Sequence, residues 1–210
     1  MPVDNCSWLA LLRVRDRGAR MAGQVFTWTA VLPEPPGAAH DTIDQLCSNR
    51  TLILCLQDDM KSLLIVYHSQ SGASAQLARA ACRGGRLEPE VTVGFMRAWD
   101  AGTRDLLQAD GVLLVTAENS GALSGAMKDF LDRTFYPCIE SGLVLPYALL
   151  VSAGNDGRSA VRQAQKILSG YPFTQAAEPL IARGEVTPDH LQASAELGQA
   201  FAVGLAMGIF

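Results

Sequence analysis

Three continuous apolar segments constrain the fold of this chain more than any other feature. They cover residues 63–67, 112–115 and 148–151, and none of them alternates apolar with polar side chains. A strand that is apolar on both sides must be covered on both faces, as in a parallel sheet between two layers of helices. These segments therefore predict an α/β fold.

Strand and helix patterns alternate along the second, larger part of the chain. The patterns predict strands at residues 62–68, 91–95, 111–117, 147–152 and 178–182. They predict helices at residues 74–82, 103–108, 124–135, 158–168 and 188–207. Five strand–helix units in succession predict a doubly wound, five-stranded parallel sheet with right-handed crossovers.

Residues 1–59 differ in composition from residues 60–210. The first segment holds four of the ten prolines but only three of the nineteen glycines, and a Pro-rich run at residues 33–37 blocks regular structure. We therefore expect residues 1–59 to be an irregular, poorly ordered N-terminal extension. The alternative is that the start codon is assigned too early and that these residues are not part of the protein. Residues 60–210, which begin at Met60, form the predicted working domain.

Charge and hydropathy exclude several functional classes. A net charge of −4 and a pI near 5.3 argue against a nucleic-acid partner, which requires a concentrated basic face. The longest stretch without a polar side chain, residues 200–210, is shorter than the ~18–20 residues of a membrane span. We expect a cytoplasmic protein, because the five cysteines are odd in number and form no CxxC pair. The three scattered histidines predict no metal site.

The segment after the first predicted strand, residues 69–74, combines small and hydroxyl side chains with one glycine before a helix. Backbone amides and the positive end of that helix favour a bound phosphate. No Lys or Arg lies in this loop, so the phosphate would be held by neutral dipoles. A purely structural role remains open, because Ser71 and Ser74 are also typical helix caps.

The third and fourth predicted strands are also followed by unusual loops, at residues 118–124 and 153–157. One ligand can touch the loops after strands one, three and four only if these strands are neighbours, which predicts the strand order 2-1-3-4-5. The phosphate-loop pattern GxxxxGK[ST], the dinucleotide pattern GxGxxG and the hydrolase pattern GxSxG are all absent. Each of the two loops also fits ordinary turn chemistry.

With these loops in view, residues 60–210 resemble the flavodoxin-like flavoproteins, and especially their NAD(P)H-dependent FMN and quinone reductases. The pattern Ser-x-Ser-Gly-x-Ser at residues 69–74 is similar to the FMN phosphate loop of that family. Residues 109–133 are similar to the second flavin loop and its helix, with Lys128 and the pair Leu131-Asp132. Unlike most reductases, this chain has no Pro or aromatic residue early in the second loop.

The resemblance implies non-covalent FMN, with NAD(P)H as a transient co-substrate. Hydride would pass to the flavin and on to a small-molecule acceptor such as a quinone, and no acid–base catalytic residue is required. The cofactor-binding residues that it implies are Ser69, Gln70, Ser71, Gly72, Ala73, Ser74, Glu118, Asn119, Ser120, Gly121, Ala122, Leu123, Ser124, Gly154, Asn155, Asp156 and Gly157.

Two other functions remain open on the sequence. One is a flavodoxin-type electron carrier, and the other is a related fold that has lost its flavin, because neither ring loop contains Trp or Tyr. A receiver-type signalling domain is excluded, since residues 69–74 contain no acid. Apolar residues on two sides of the helix at 188–207 are consistent with a homo-oligomer.

Overall fold

The computed structural model describes residues 60–210, which form one sheet with helices on both faces. The strands are β1 (Lys61–Tyr67), β2 (Val91–Arg97), β3 (Gly111–Asn119), β4 (Ala122–Leu123), β5 (Pro146–Ala153), β6 (Thr174–Gln175) and β7 (Leu180–Arg183). The helices are α1 (Ala73–Gly85), α2 (Thr103–Leu107), α3 (Gly125–Glu140), α4 (Arg158–Leu168) and α5 (Pro188–Ala206).

The strand order confirms the predicted topology. The order is β2, β1, β3, β5, with both β6 and β7 parallel to β5, so β5 and β7 are the fourth and fifth predicted strands. The two shortest strands were not predicted: β4 pairs antiparallel with the end of β3, and β6 contributes two exposed residues. The ends of β1, β3 and β5 therefore meet at one edge of the sheet.

The two faces of the sheet carry separate apolar cores. Side chains of β1 alternate between them: Leu63 and Ile65 pack with α1 and α5, whereas Leu64 and Val66 pack with α2, α3 and α4. Both sets are buried to at least 95%. This arrangement explains why the strands are apolar on both sides and confirms the doubly wound fold.

Helices α1 and α5 approach each other through glycines. A Cβ added at Gly84 of α1 would lie 1.9 Å from the carbonyl oxygen of Ala195 in α5, and one added at Gly198 would lie 2.0 Å from the carbonyl oxygen of Ala81. Neither position leaves space for a side chain. The helix that follows β1 is therefore held against the last helix of the chain by direct backbone packing.

The expected irregular extension at residues 1–59 lies outside the described residues. The described residues fall within one compact unit, Leu54–Phe210. Within residues 60–210, no helix combines the length and the apolar character that a membrane span requires.

Candidate functional site

The phosphate loop, residues 69–74, turns sharply from β1 into α1. Gly72 adopts φ +97°, a left-handed conformation that favours glycine, and its amide donates to the Ser69 hydroxyl at 3.1 Å. The backbone amides of Ala73, Ser74 and Ala75 make no hydrogen bond to any described residue. Three free amides at a helix N-terminus form a set of neutral donors suited to an anion.

The Ser74 hydroxyl points into the protein. This buried hydroxyl donates to the backbone carbonyl of Thr116 at 3.1 Å and lies 2.7 Å from the Ser152 hydroxyl. It therefore ties the start of α1 to the ends of β3 and β5. Of the Ser74 groups, only the backbone amide is therefore available for the predicted cofactor binding, because the hydroxyl points inward and positions the loop.

The segment predicted as an open loop at residues 118–124 is largely a β-hairpin, which corrects that expectation. Strand β3 continues to Asn119, and β4 pairs with it through Glu118 and Asn119. The two turn residues, Ser120 and Gly121, have φ of 51° and 74°, as a two-residue hairpin turn requires. The residues predicted for the cofactor are thus held on a paired ribbon, residues 118–123, which we call the hairpin.

Residues 154–157, the third loop, connect β5 to α4. Gly157 adopts φ +70°, and a Cβ there would lie 2.5 Å from Cγ2 of Ile181. Its amide donates to the Glu118 carboxylate at 3.2 Å, and the Asp156 carboxylate accepts from the amide of Arg158 at 3.1 Å. Gly157 is therefore required both by its backbone conformation and by lack of space.

Hydrogen bonds join the three predicted loops at one edge of the sheet. The Asn119 amide group of the hairpin donates to the side-chain oxygen of Gln70 in the phosphate loop at 3.2 Å. The Glu118–Gly157 bond links the hairpin to the third loop. Below them, the hydroxyls of Thr116 and Ser124 lie 2.8 Å apart and are buried. The structure thus brings the loops of the predicted site together.

A cavity of about 220 Å³ adjoins the phosphate loop on the side of β2, and we call it the β1–β2 cavity. Its lining residues are Tyr67, His68, Ser69, Gln70, Gly72, Ala75, Arg79, Arg97 and Trp99. Six of the nine are not among the site residues predicted from the sequence: Tyr67, His68, Ala75, Arg79, Arg97 and Trp99. Trp99 is 60% exposed and lines this cavity.

No local signal in the sequence identifies this cavity, because its arginines come from two separate elements. Arg79 lies on α1 and Arg97 ends β2, whose following segment resembles an ordinary connection. Strands β1 and β2 pair in parallel, with Tyr67 opposite Arg97, and α1 follows β1. Only this pairing brings Arg79 and Arg97 to the same edge of the sheet. Within residues 60–210, no group of three His, Cys, Asp or Glu side chains is arranged to hold a metal ion.

A family model described as NADPH-dependent FMN reductase matches residues 73–186, more than half of the chain. The chain belongs to this family. The matched segment begins at Ala73, the first residue of α1, and it includes the hairpin and the third loop. The reductase is a flavodoxin-like flavoprotein and an FMN-dependent oxidoreductase, with NAD(P)H as the reductant.

Solved structures with the same fold are similar to the reductase at low identity. An archaeal flavodoxin is 21% identical with a TM-score of 0.61, and the match covers 69% of this chain and 98% of that one. A flavodoxin WrbA-like protein from Agrobacterium tumefaciens is 16% identical with a TM-score of 0.58, covering 70% and 98%. The Flv1 flavodiiron core from Synechocystis is 18% identical with a TM-score of 0.61; 79% of this chain matches, but only 41% of that longer one.

The donor set of the reductase fits FMN. The free amides of residues 73–75 are suited to its phosphate, and Gly121 and Gly154 leave open space where a side chain would otherwise project. No Trp or Tyr occurs in residues 118–124 or 154–157, so the ring would be held by backbone and polar groups. These residues fit a neutral, dipole-based cofactor site.

Proposed function

We propose that this reductase catalyses the reduction of a quinone, or of another small acceptor, by NAD(P)H. In the overall reaction a quinone, a proton and NAD(P)H give a hydroquinone and NAD(P)⁺. The observation that carries the proposal is the absence of Trp and Tyr from the hairpin and the third loop. A flavin face without an aromatic cover remains accessible to a second planar molecule, whether nicotinamide or quinone.

Bound FMN would accept a hydride from the nicotinamide and give two electrons to the acceptor. The protein supplies position and electrostatics. The phosphate loop would fix the cofactor through amides of α1, and the Glu118–Gly157 hydrogen bond would fix the two loops on either side of the ring. No acid–base side chain is assigned a catalytic role.

The alternative function is an electron carrier that docks on a protein partner. Flavodoxin-type carriers use an acidic surface for such docking. Residues 60–210 contain 12 basic and 14 acidic side chains, and the β1–β2 cavity beside the phosphate loop is lined by two arginines. This charge distribution favours small anionic or neutral substrates over docking to a basic protein.

Steady-state oxidation of NADPH by the FMN-loaded protein separates the two functions. We expect turnover when benzoquinone is added; a protein that binds FMN but shows no turnover with quinones or free flavin would be a carrier. Gly72→Ala should lower FMN affinity because φ +97° disfavours alanine by about 1 kcal/mol, which is about fivefold. Gly142→Ala, which replaces another positive-φ glycine in the turn after α3, should retain wild-type affinity.

Three further expectations belong to this proposal. Residues 60–210 are the functional domain, residues 1–59 contribute no site, and the protein acts in the cytoplasm. A homo-oligomer is also proposed, because Met207 and Ile209, which follow the last residue of α5, are more than 60% exposed. Light scattering that gives the mass of one chain would contradict the oligomer.

A further inference from the structure

The β1–β2 cavity is chemically different from the three loops that fit FMN. Its nine lining residues include Arg79 and Arg97 and no carboxylate. The Arg97 guanidinium donates to the Tyr67 hydroxyl at 3.4 Å, and this hydrogen bond raises the pKa of Arg97. Both arginines are exposed and permanently charged, so the cavity offers two cations to an anionic ligand.

His68, which lines this cavity, has a buried ring nitrogen without a hydrogen-bond partner. His68 is 8% exposed, and its Nδ1 is the one buried side-chain polar atom among residues 60–210 without a hydrogen-bond partner. Burial lowers the pKa of His68, so the ring is neutral near pH 7. A buried polar atom without a partner costs about 1–3 kcal/mol, so a residue in the wall of this cavity carries a local cost in stability.

An aromatic surface completes the cavity. The Trp99 ring meets the His68 ring edge to face, with centroids 5.7 Å apart, and 60% of Trp99 is exposed. An indole held in place by a buried neighbour and open to solvent on its other side is suited to stack against a planar group. Arginines and an indole side by side favour a ligand that is both aromatic and anionic.

The cavity shares residues with the phosphate loop. Ser69, Gln70 and Gly72 line it, and Gln70 also accepts the hydrogen bond from Asn119 of the hairpin. A ligand in the cavity would therefore lie beside the FMN phosphate and close to the hairpin. Its volume of about 220 Å³ is below the ~300–1,000 Å³ of pockets that enclose a whole drug-sized ligand, so it fits one end of a longer molecule.

We propose that the β1–β2 cavity binds a nucleoside phosphate, with the base against Trp99 and the phosphate groups against Arg79 and Arg97. The proposal rests on the proposed function, because NADPH carries an adenosine with phosphates at its 2′ and 5′ positions. The same chemistry occurs in the adenylate part of FAD, which continues directly from the phosphate of FMN.

Isothermal titration of the full-length, FMN-loaded protein tests the proposal with three probes: adenosine 2′,5′-bisphosphate, AMP and inorganic phosphate. We expect the bisphosphate to bind, and to bind more weakly as salt is raised. Arg79→Gln and Arg97→Gln should each weaken it about threefold to tenfold, consistent with the ~1 kcal/mol of an exposed charged contact. Trp99→Ala should weaken it similarly, and Trp99→Phe should restore it.

Arg104→Gln is the matched control, because Arg104 is an exposed arginine on α2 outside the cavity. Tighter binding of the bisphosphate than of AMP would assign the cavity to NADPH, and equal binding would assign it to a 5′-adenylate as in FAD. The proposal is overturned if the bisphosphate does not bind at millimolar concentration or if inorganic phosphate binds as tightly as the bisphosphate. It is also overturned if the cavity variants bind the bisphosphate as tightly as wild type does.

FMN content is measured for every variant in the same samples. A loss of FMN that equals the loss of nucleotide binding would place Arg79 and Arg97 in the FMN site and would also overturn the proposal. Nucleotide binding is measured without an acceptor, so failure to reduce quinones would count against the proposed function and leave the cavity result unaffected.

Discussion

Ser74 and Ser152 show how single hydroxyl groups position the site at the scale of residues. Their hydroxyls are 2.7 Å apart and buried, beneath the phosphate loop. Ser74→Ala removes a hydrogen-bond partner from the Ser152 hydroxyl and from the Thr116 carbonyl. We therefore expect a loss of about 1–2 kcal/mol in the free energy of unfolding. FMN affinity should fall as well, since the start of α1 is no longer tied to β3 and β5.

Urea denaturation and FMN titration measure these two effects. Ser169→Ala is the control, because the Ser169 hydroxyl is exposed and bonds only to the Lys166 carbonyl. Equal stability and FMN affinity in the Ser74 and Ser169 variants would show that the buried hydroxyl pair does not position the loop.

Gly157 and Gly154 lie three residues apart in the third loop but differ in their surroundings. Gly157→Ala combines a positive φ with a Cβ 2.5 Å from the Ile181 side chain, so we expect a loss of about 2–3 kcal/mol. Gly154→Ala meets open space and should change stability by less than about 0.5 kcal/mol. Thermal unfolding of the two variants tests this difference, and similar melting temperatures would contradict it.

Cys138 is a buried, unpaired thiol whose pKa burial raises to about 11. Because this value lies above the ordinary 9.0, the folded state favours the protonated thiol, and the associated stability is full below pH 9 and is lost as the pH rises towards 11. We expect iodoacetamide at pH 8 to spare Cys138 until the protein is unfolded, as read by peptide mass mapping. Rapid alkylation of the native protein would contradict this assignment.

Some site residues could be predicted from the sequence and others could not. Gly72 and Gly157 follow strands in positions where a tight turn needs a positive φ, and this local requirement is visible in the chain. The inward direction of the Ser74 hydroxyl depends on Thr116 and Ser152, which are distant in sequence. The contact between Trp99 and His68 likewise depends on tertiary packing.

At the scale of elements, the crossing of α1 and α5 is the most restrictive contact. Gly84→Ala would place a methyl group 1.9 Å from a backbone carbonyl, which cannot rotate away as a side chain can. We expect a loss of about 3 kcal/mol or more, because overpacking outweighs the ~1 kcal/mol that alanine gains in helix propensity.

Chemical denaturation compares the free energy of unfolding of Gly84→Ala with that of the control variant Gly125→Ala. Gly125 begins α3 and has nothing within 4 Å of an added Cβ, so its variant should be as stable as wild type or slightly more stable. A Gly84 variant of wild-type stability would mean that the two helices can separate at little cost.

The principal strands and helices could be predicted because their periodicity is a local property. The hairpin could not, because β4 has only two residues and exists through its pairing with Glu118 and Asn119. Strand β6 is similar: its two exposed residues carry no apolar pattern, and only pairing with Pro146 and Tyr147 defines them.

At the scale of the molecule, the two apolar cores lie on opposite faces of one sheet, and the structure describes them from residues 63–205. We expect a chain that begins at Met60 to unfold cooperatively and to bind FMN within about threefold of the full-length affinity, a difference below ~0.7 kcal/mol. Circular dichroism and FMN titration measure both properties. A truncated chain that aggregates or binds no FMN would contradict the domain boundary proposed here.

The interlocked glycines of α1 and α5 also bear on biosynthesis. The helix that presents the phosphate loop is packed backbone to backbone on the last described helix, which begins only at Pro188. During translation, α1 leaves the ribosome long before its partner exists. We therefore expect the flavin site to reach its final geometry only after α5 has been synthesised and has packed against α1.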